Sequence, residues 1–215
     1  MKTRIDLYIG TELTLSLYRA FLADTLIAAR QSGATVVLAL TPGPSFPEER
    51  LADVIIEQHG NSFGERFDGA LSDAANELPS KTPLILIGAD TPHLSPKLLR
   101  DALDTLEQCE AVVGPNINGG FYLIGFSSRP VSVSKVFSYS STDEPKELAR
   151  LLQDAHLRTS FVTPQFDVDL PQDLVTLIRL IDSLEASHAA WIPRNTQNVL
   201  NGMTSMMMKT VNPLL

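Results

Sequence analysis

The tightest constraint in this chain is the run Pro83-Leu84-Ile85-Leu86-Ile87-Gly88-Ala89-Asp90-Thr91-Pro92-His93-Leu94. Its apolar core is bounded by prolines, is too short for a free-standing helix, and is greasy on both alternating faces. It therefore reads as a central strand of a parallel sheet covered by helices on both sides. Asp90 falls at the carboxyl end of that strand, the end where ligands bind in open α/β sheets. Ser95 and Pro96 follow as N-cap and first helical residue of a helix over 97–108. A carboxylate at a strand tip, with no neighbouring cation in sequence, suits a divalent metal. It equally suits capping of the turn through Thr91 or Pro92.

At 215 residues the chain suits one domain with a proper core, and 44% hydrophobic with 20% charged residues is the balance of a soluble globular protein. A net charge of −8 argues against nucleic acid or an anionic membrane as main partner, since both favour a basic face. Such a chain can still bind phosphates through a metal ion and a few local cations. Cys109 is the only cysteine, which leaves no disulfide framework and no thiolate metal site; its place on an apolar helix face reads as buried packing. Asp6, Glu12 and Arg19 interrupt the stretch after Lys2 and Arg4, so neither a signal-peptide core nor a membrane span is predicted, and the expected location is cytoplasmic.

Residues 14–30 place Leu15, Tyr18, Phe21, Leu22, Thr25, Leu26 and Ala29 at helical spacing, with Gly33 just past the end as a stop. A β-branched strand over 35–40 and a short strand over 53–58 flank a proline-rich loop. Residues 58–67 form a polar, glycine-punctuated loop running into a helix that ends near Pro79. Arg66 in its first turn opposes the helix dipole; a bound anion would account for it, and so would pairing with Glu65 or Asp68. Strands over 111–115 and 121–126 enclose the turn Asn116-Ile117-Asn118-Gly119-Gly120. Its glycine pair permits positive φ and close approach of a ligand, and also serves a plain hairpin.

A hydroxyl-rich loop over 138–143 precedes a helix over 143–155, and a strand over 159–163 follows. Phe166-Asp167-Val168-Asp169-Leu170-Pro171-Gln172-Asp173-Leu174 is then a strand-to-helix junction with two carboxylates at its seam. One domain is expected over 1–190, with 191–215 an appended helix and tail in which Met206, Met207 and Met208 are packing filler. His59, His93, His156 and His188 share no metal-ligand spacing and read as structural or surface residues. The chain has no serine elbow, no phosphate-cradling G-x-x-x-x-G-K and no G-x-G-x-x-G turn, so dinucleotide oxidoreductase and NTPase readings lose their main support.

Five segments in order carry a resemblance: residues 18–26 (Tyr18-Arg19-Ala20-Phe21-Leu22-Ala23-Asp24-Thr25-Leu26), Phe63-Gly64-Glu65-Arg66-Phe67, Ile87-Gly88-Ala89-Asp90-Thr91-Pro92-His93-Leu94, Gly114-Pro115 with Gly119-Gly120-Phe121-Tyr122-Leu123-Ile124-Gly125, and the junction from Asp167 to Leu174. Together they are similar to the glycosyltransferase-like family of transferases often found near radical-enzyme and selenodomain proteins. That family lies in the nucleotide-diphospho-sugar transferase (GT-A) superfamily, alongside guanylyltransferases acting on phospholactate and molybdenum cofactor. The resemblance spans most of residues 2–200.

What the resemblance implies is a Rossmann-like mixed α/β sheet with helices on both faces, binding a nucleotide or nucleotide-sugar donor with Mg²⁺ or Mn²⁺. Asp90 and Asp169 match the two metal-binding carboxylates; Lys2, Arg4 and Arg66 match phosphate-facing cations; Asn118, Gly119 and Gly120 line the acceptor side. Asp167 is expected to orient the junction. A small-molecule acceptor is implied, and a homo-oligomer is compatible with it.

Three departures stand out. The family opens with a strand and a glycine loop leading into Lys-Thr-Arg, whereas this chain starts at Met1-Lys2-Thr3-Arg4, so the first strand is expected to be absent and Lys2 and Arg4 to lie on a mobile terminus. Asn118 stands where aspartate is usual, keeping a carbonyl acceptor but no charge or base function. Leu170 replaces the usual threonine before Pro171, removing a capping hydroxyl. An alternative reading is a degenerate family member acting as a binding module, since loss of a buried strand exposes sheet edges.

Overall fold

The computed structural model describes residues 3–138 and 143–211, with the side chains of residues 3, 138 and 204–211 left undescribed. Two helices lead the chain, α1 (Thr3–Ile9) and α2 (Thr11–Gln31). Arg4 thus lies on a helix rather than a mobile terminus, because its neighbour Ile5 is fully buried against Leu17, Phe21 and Val168. Lys2 lies outside the described residues. α2 stops at Ser32 and Gly33, whose backbone turns to φ +92° while its N–H donates to the Arg30 carbonyl.

Strands β1 (Val37–Leu40) and β2 (Val54–Glu57) pair in parallel as a two-stranded sheet. Helix α3 (Phe63–Glu77) crosses to β3 (Leu84–Ile87), which joins a four-stranded mixed sheet in the order β3-β5-β4-β6. Its other strands are β4 (Ala111–Pro115), β5 (Phe121–Phe126) and β6 (Thr159–Phe161). Helix α4 (Pro96–Thr105) starts as its sequence dictates, with the Ser95 hydroxyl accepting the Leu98 N–H and Pro96 in the first turn. Helices α5 (Glu144–Asp154), α6 (Pro171–Ala186) and α7 (Arg194–Val211) complete the chain.

β3 is not the central strand of a parallel sheet that its composition predicts. Among the described residues it pairs with β5 alone, and antiparallel, from Leu84↔Phe126 to Ile87↔Leu123. The apolar run signals burial on both faces, which helices supply here; it carries no information about which strand lies alongside. Three of the four β3 residues are only half-buried, whereas β4 from Ala111 to Gly114 is buried throughout.

α2 spans the break between the two sheets on one face. Its Leu26 packs on Val36 and Leu38 of the first sheet, and its Ala28 belongs with Leu99, Val112 and Leu123 of the second. α3 touches both β2 and β3. A further cluster joins α1, α2, α6 and α7 through Phe21, Leu177, Ile181, Leu200 and Met203, and each large apolar side chain buried there contributes about 2 to 3 kcal/mol. The sheets and helices thus form an α/β architecture in which helices flank mixed sheets. No described helix is long and apolar enough to cross a membrane.

Candidate functional site

Strand register assembles one rim of the larger sheet. Ile87 faces Leu123 in the antiparallel β3–β5 pair, so Asp90, three residues beyond the one, and Gly120, three before the other, lie at the same end. The turn there is fixed by its own backbone. Asn116 N–H donates to the Gly120 carbonyl (3.1 Å), Gly119 N–H to the Asn116 carbonyl (3.1 Å), and Asn118 N–H to the Asn116 side-chain oxygen (2.9 Å). Gly119 and Gly120 adopt φ +101° and +76°, values that a residue with a Cβ takes at a cost. The Asn118 side chain is exposed, while Gly120 is buried.

The junction before α6 is stitched to this rim from two sides. Ile117 N–H donates to the Gln165 carbonyl (2.8 Å) and Gln165 N–H to the Pro115 carbonyl (3.1 Å). Val168 N–H donates to the Asp90 carbonyl (2.9 Å), and the Thr91 hydroxyl donates to the Asp167 carboxylate (2.6 Å). The segments bearing Asp90 and Asp169 are therefore in direct contact. Asp90 is half-buried and Asp169 exposed.

His93, three residues past Asp90, is buried. It is 8% exposed and stacks on Phe166 with centroids 4.3 Å apart. Burial pulls the imidazole from its usual 6.5 down to about 4, outweighing the opposing influence of the Gln165 side chain, so the ring is neutral. His59, by contrast, is exposed and lies 3.5 Å from Asp73. Cys109 follows α4 and is half-buried rather than fully packed away.

Helix α3 begins beside the glycine turn, since the Phe67 ring meets Phe121 edge-on at 6.0 Å. Both partners that the sequence offers Arg66 are otherwise engaged. Glu65 accepts the Asn61 N–H (2.7 Å), and Asp68 accepts the Ser132 hydroxyl (2.5 Å) and the Val133 N–H (2.8 Å). Arg66 itself is half-buried, and its guanidinium makes no hydrogen bond or ion pair with the described residues. Arg4 is exposed on α1, which packs against α2 and α6.

At Leu170 the capping hydroxyl is absent, and a carboxylate in the first turn of α6 secures the backbone just ahead of the helix. Asp173 accepts the backbone N–H groups of Leu170 (2.8 Å) and Asp169 (3.0 Å), holding the start of α6 without a side-chain cap at Leu170. Leu170→Thr would add such a cap at a position already 39% exposed. Stability is expected to rise by up to about 1 kcal/mol. Urea denaturation checks it, and a loss of stability would show that the Asp173 arrangement excludes a second cap.

Sequence reading missed three contacts here: Thr91 with Asp167, His93 with Phe166, and the Glu144 carboxylate lying against Gly120. Only the first left a trace, a hydroxyl next to one acidic position and a second acid in the later junction. The others join residues with no shared pattern.

The fold is that of the nucleotide-diphospho-sugar transferases. A crystal structure from Desulfovibrio desulfuricans G20, whose assignment as a nucleotide-diphospho-sugar transferase is itself provisional, is 25% identical, covers 97% of this chain and 91% of its own, and superposes with a TM-score of 0.79. 2-C-methyl-D-erythritol 4-phosphate cytidylyltransferase from Thermus thermophilus is 22% identical over 73% of this chain and 86% of its own, with a TM-score of 0.48. The manganese complex of Rv0371c from Mycobacterium tuberculosis H37Rv is 23% identical over 74% and 86%, with a TM-score of 0.46. The fold assignment rests on the first of these. Residues 19–141 match the bacterial family described as "Uncharacterized protein conserved in bacteria (DUF2064)", and the chain belongs to that family. No curated protein matches the sequence.

Proposed function

We propose that this protein is a metal-dependent nucleotidyl- or glycosyltransferase of GT-A type, taking a nucleotide or nucleotide-sugar donor and a small-molecule acceptor. The observation that carries the reading is the hydrogen bond from Val168 N–H to the Asp90 carbonyl, which brings both acidic loops to one sheet rim. Asp90 and Asp169 would hold the metal. Arg66, with Arg4 and Lys2, would meet donor phosphates, and Asn118, Gly119 and Gly120 would line the acceptor side.

The donor set suits a hard cation, being carboxylate oxygen alone. Among the described residues no group of three or more His, Cys, Asp or Glu could hold a metal by itself. That fits Mg²⁺ or Mn²⁺, which are bound through one or two carboxylates with substrate phosphate and water completing the shell. When bound, such an ion neutralises charge on the departing phosphate. The protein's own part is to hold the two loops in register and to present Arg66, which no described residue neutralises, to the donor.

The test is a thermal-shift screen of nucleotides and nucleotide sugars, with and without Mg²⁺ or Mn²⁺, on the wild type and Asp90→Ala. One ligand is expected to raise the melting temperature only with metal, and a ligand at a hundred times its Kd adds about 2.7 kcal/mol. Asp90→Ala should abolish that rise. If no nucleotide shifts the wild type, a second reading leads, in which the protein is an interaction module. The break between the two sheets favours it, because among the described residues β3 has one edge without a neighbouring strand, which an extended partner segment could join.

A further inference from the structure

A carboxylate outside the five resembling segments reaches the same rim. Glu144 is the first residue of α5, and its Oε2 lies 3.0 Å from the point a Cβ on Gly120 would occupy. The carboxylate therefore rests on the bare face of the glycine that register places at the same end as Asp90. Any side chain at position 120 would press into that space, and the φ of +76° independently disfavours one. Among the described residues no hydrogen bond or ion pair holds Glu144. Burial raises its pKa above the usual carboxylate range, which makes it a stronger base than an exposed glutamate.

The acceptor side is otherwise short of bases. Asn118 cannot accept a proton at neutral pH, and neutral His93 is buried and stacked on Phe166. Glu144 is the side chain placed against the glycine turn with an oxygen ready to take one. We propose that Glu144 is the general base of the transfer reaction and that the acceptor is a neutral hydroxyl compound. The inference rests on the transferase reading above.

In the step, the acceptor O–H bond breaks and its proton passes to a Glu144 oxygen. The acceptor oxygen bonds to the donor's anomeric carbon, or to its phosphorus in nucleotidyl transfer. The bond from that atom to the leaving phosphate oxygen breaks, and its electron pair departs on that oxygen. The proton then leaves Glu144 for solvent. An acceptor attacking through a phosphate or carboxylate would need no base and would be repelled by an unneutralised carboxylate at its side.

The experiment compares the wild type with Glu144→Gln, which keeps shape, and Glu144→Asp, which keeps charge but withdraws it. Donor binding is followed by thermal shift with Mn²⁺ over UDP-glucose, GDP-mannose, ADP-glucose, CTP and GTP. Turnover of the best donor is followed with glycerol or glucose against glycerol 3-phosphate or glucose 6-phosphate as acceptor. Glu144→Gln should bind donor as the wild type does while turnover of the neutral acceptors falls by about a hundredfold or more. Glu144→Asp should fall between the two, and formate added to Glu144→Ala should restore part of the lost rate.

Turnover in Glu144→Gln within about threefold of wild type would overturn the assignment, since a general base contributes far more. So would faster reaction with the phosphorylated acceptors, or donor binding without turnover of any acceptor. A wild type that binds no donor would instead overturn the transferase reading itself, and the base assignment with it.

Discussion

Replacing Asp24 by alanine is expected to destabilise the fold by about 3 kcal/mol or more, as leaving several buried donors without a partner does. Asp24 lies on α2 and is 1% exposed. Its carboxylate accepts the backbone N–H of Asn195 (3.1 Å), the Asn195 side-chain amide (2.7 Å) and the backbone N–H of Thr196 (2.7 Å). Those backbone donors belong to the first turn of α7, where no intrahelical acceptor is available and the helix dipole favours an anion. α2 thus caps α7 from a distance of more than 170 residues in sequence.

Alanine would leave three donors without a partner, the Thr196 N–H fully buried and the two of Asn195 partly so, and α7 carries Leu200 and Met203 into the cluster around Phe21. Asp24→Asn keeps one acceptor oxygen and should cost about half as much. Urea denaturation of the three proteins reads both values. A loss below about 1 kcal/mol for the alanine variant would mean that water reaches the start of α7 and satisfies it instead.

Acid should weaken the protein through His93. Its pKa is about 4 when folded, against 6.5 for the free side chain, so the unfolded chain binds the proton more readily at every pH between those values. The contribution is fully present above pH 6.5 and is lost as pH falls towards 4, amounting to about 3 kcal/mol in all. His93→Phe preserves the stack on Phe166 and removes the titration. Stability of the two proteins, measured by urea denaturation at a series of pH values, should converge or cross as pH drops, with the phenylalanine variant losing less. Equal losses across that window would show that the ring is hydrated when folded.

Much of the scaffold is legible in the chain itself. Ser95-Pro96 announces α4, Gly33 ends α2, and the apolar runs over 111–115 and 121–126 mark two strands at their true positions. These signals are local: a cap, a turn residue and a run of side chains act within a few positions, and the backbone obeys them there. α1 leaves no such signal, because a seven-residue helix with a single deeply buried side chain, Ile5, has almost no periodicity of its own. It is held by α2 and α6 rather than by its own propensity.

The candidate site is legible only as separate pieces. Asp90 at a strand end, the glycine pair and the acidic junction each stand out in sequence, but nothing in their spacing says that they meet. The Thr91–Asp167 hydrogen bond joins residues 76 apart, and the Glu144 carboxylate reaches Gly120 from the start of a helix with no motif of its own.

Sequence alone therefore determined the element types, most of their limits and the carboxylates available for chemistry, because those follow from side-chain shape, polarity and capping within one turn or strand. Tertiary structure alone decided that β3 pairs antiparallel at an edge, that a buried aspartate on α2 starts α7, and which acidic groups share a rim. Those outcomes depend on backbone donors and acceptors finding partners across the whole chain, a choice that no local pattern of residues encodes.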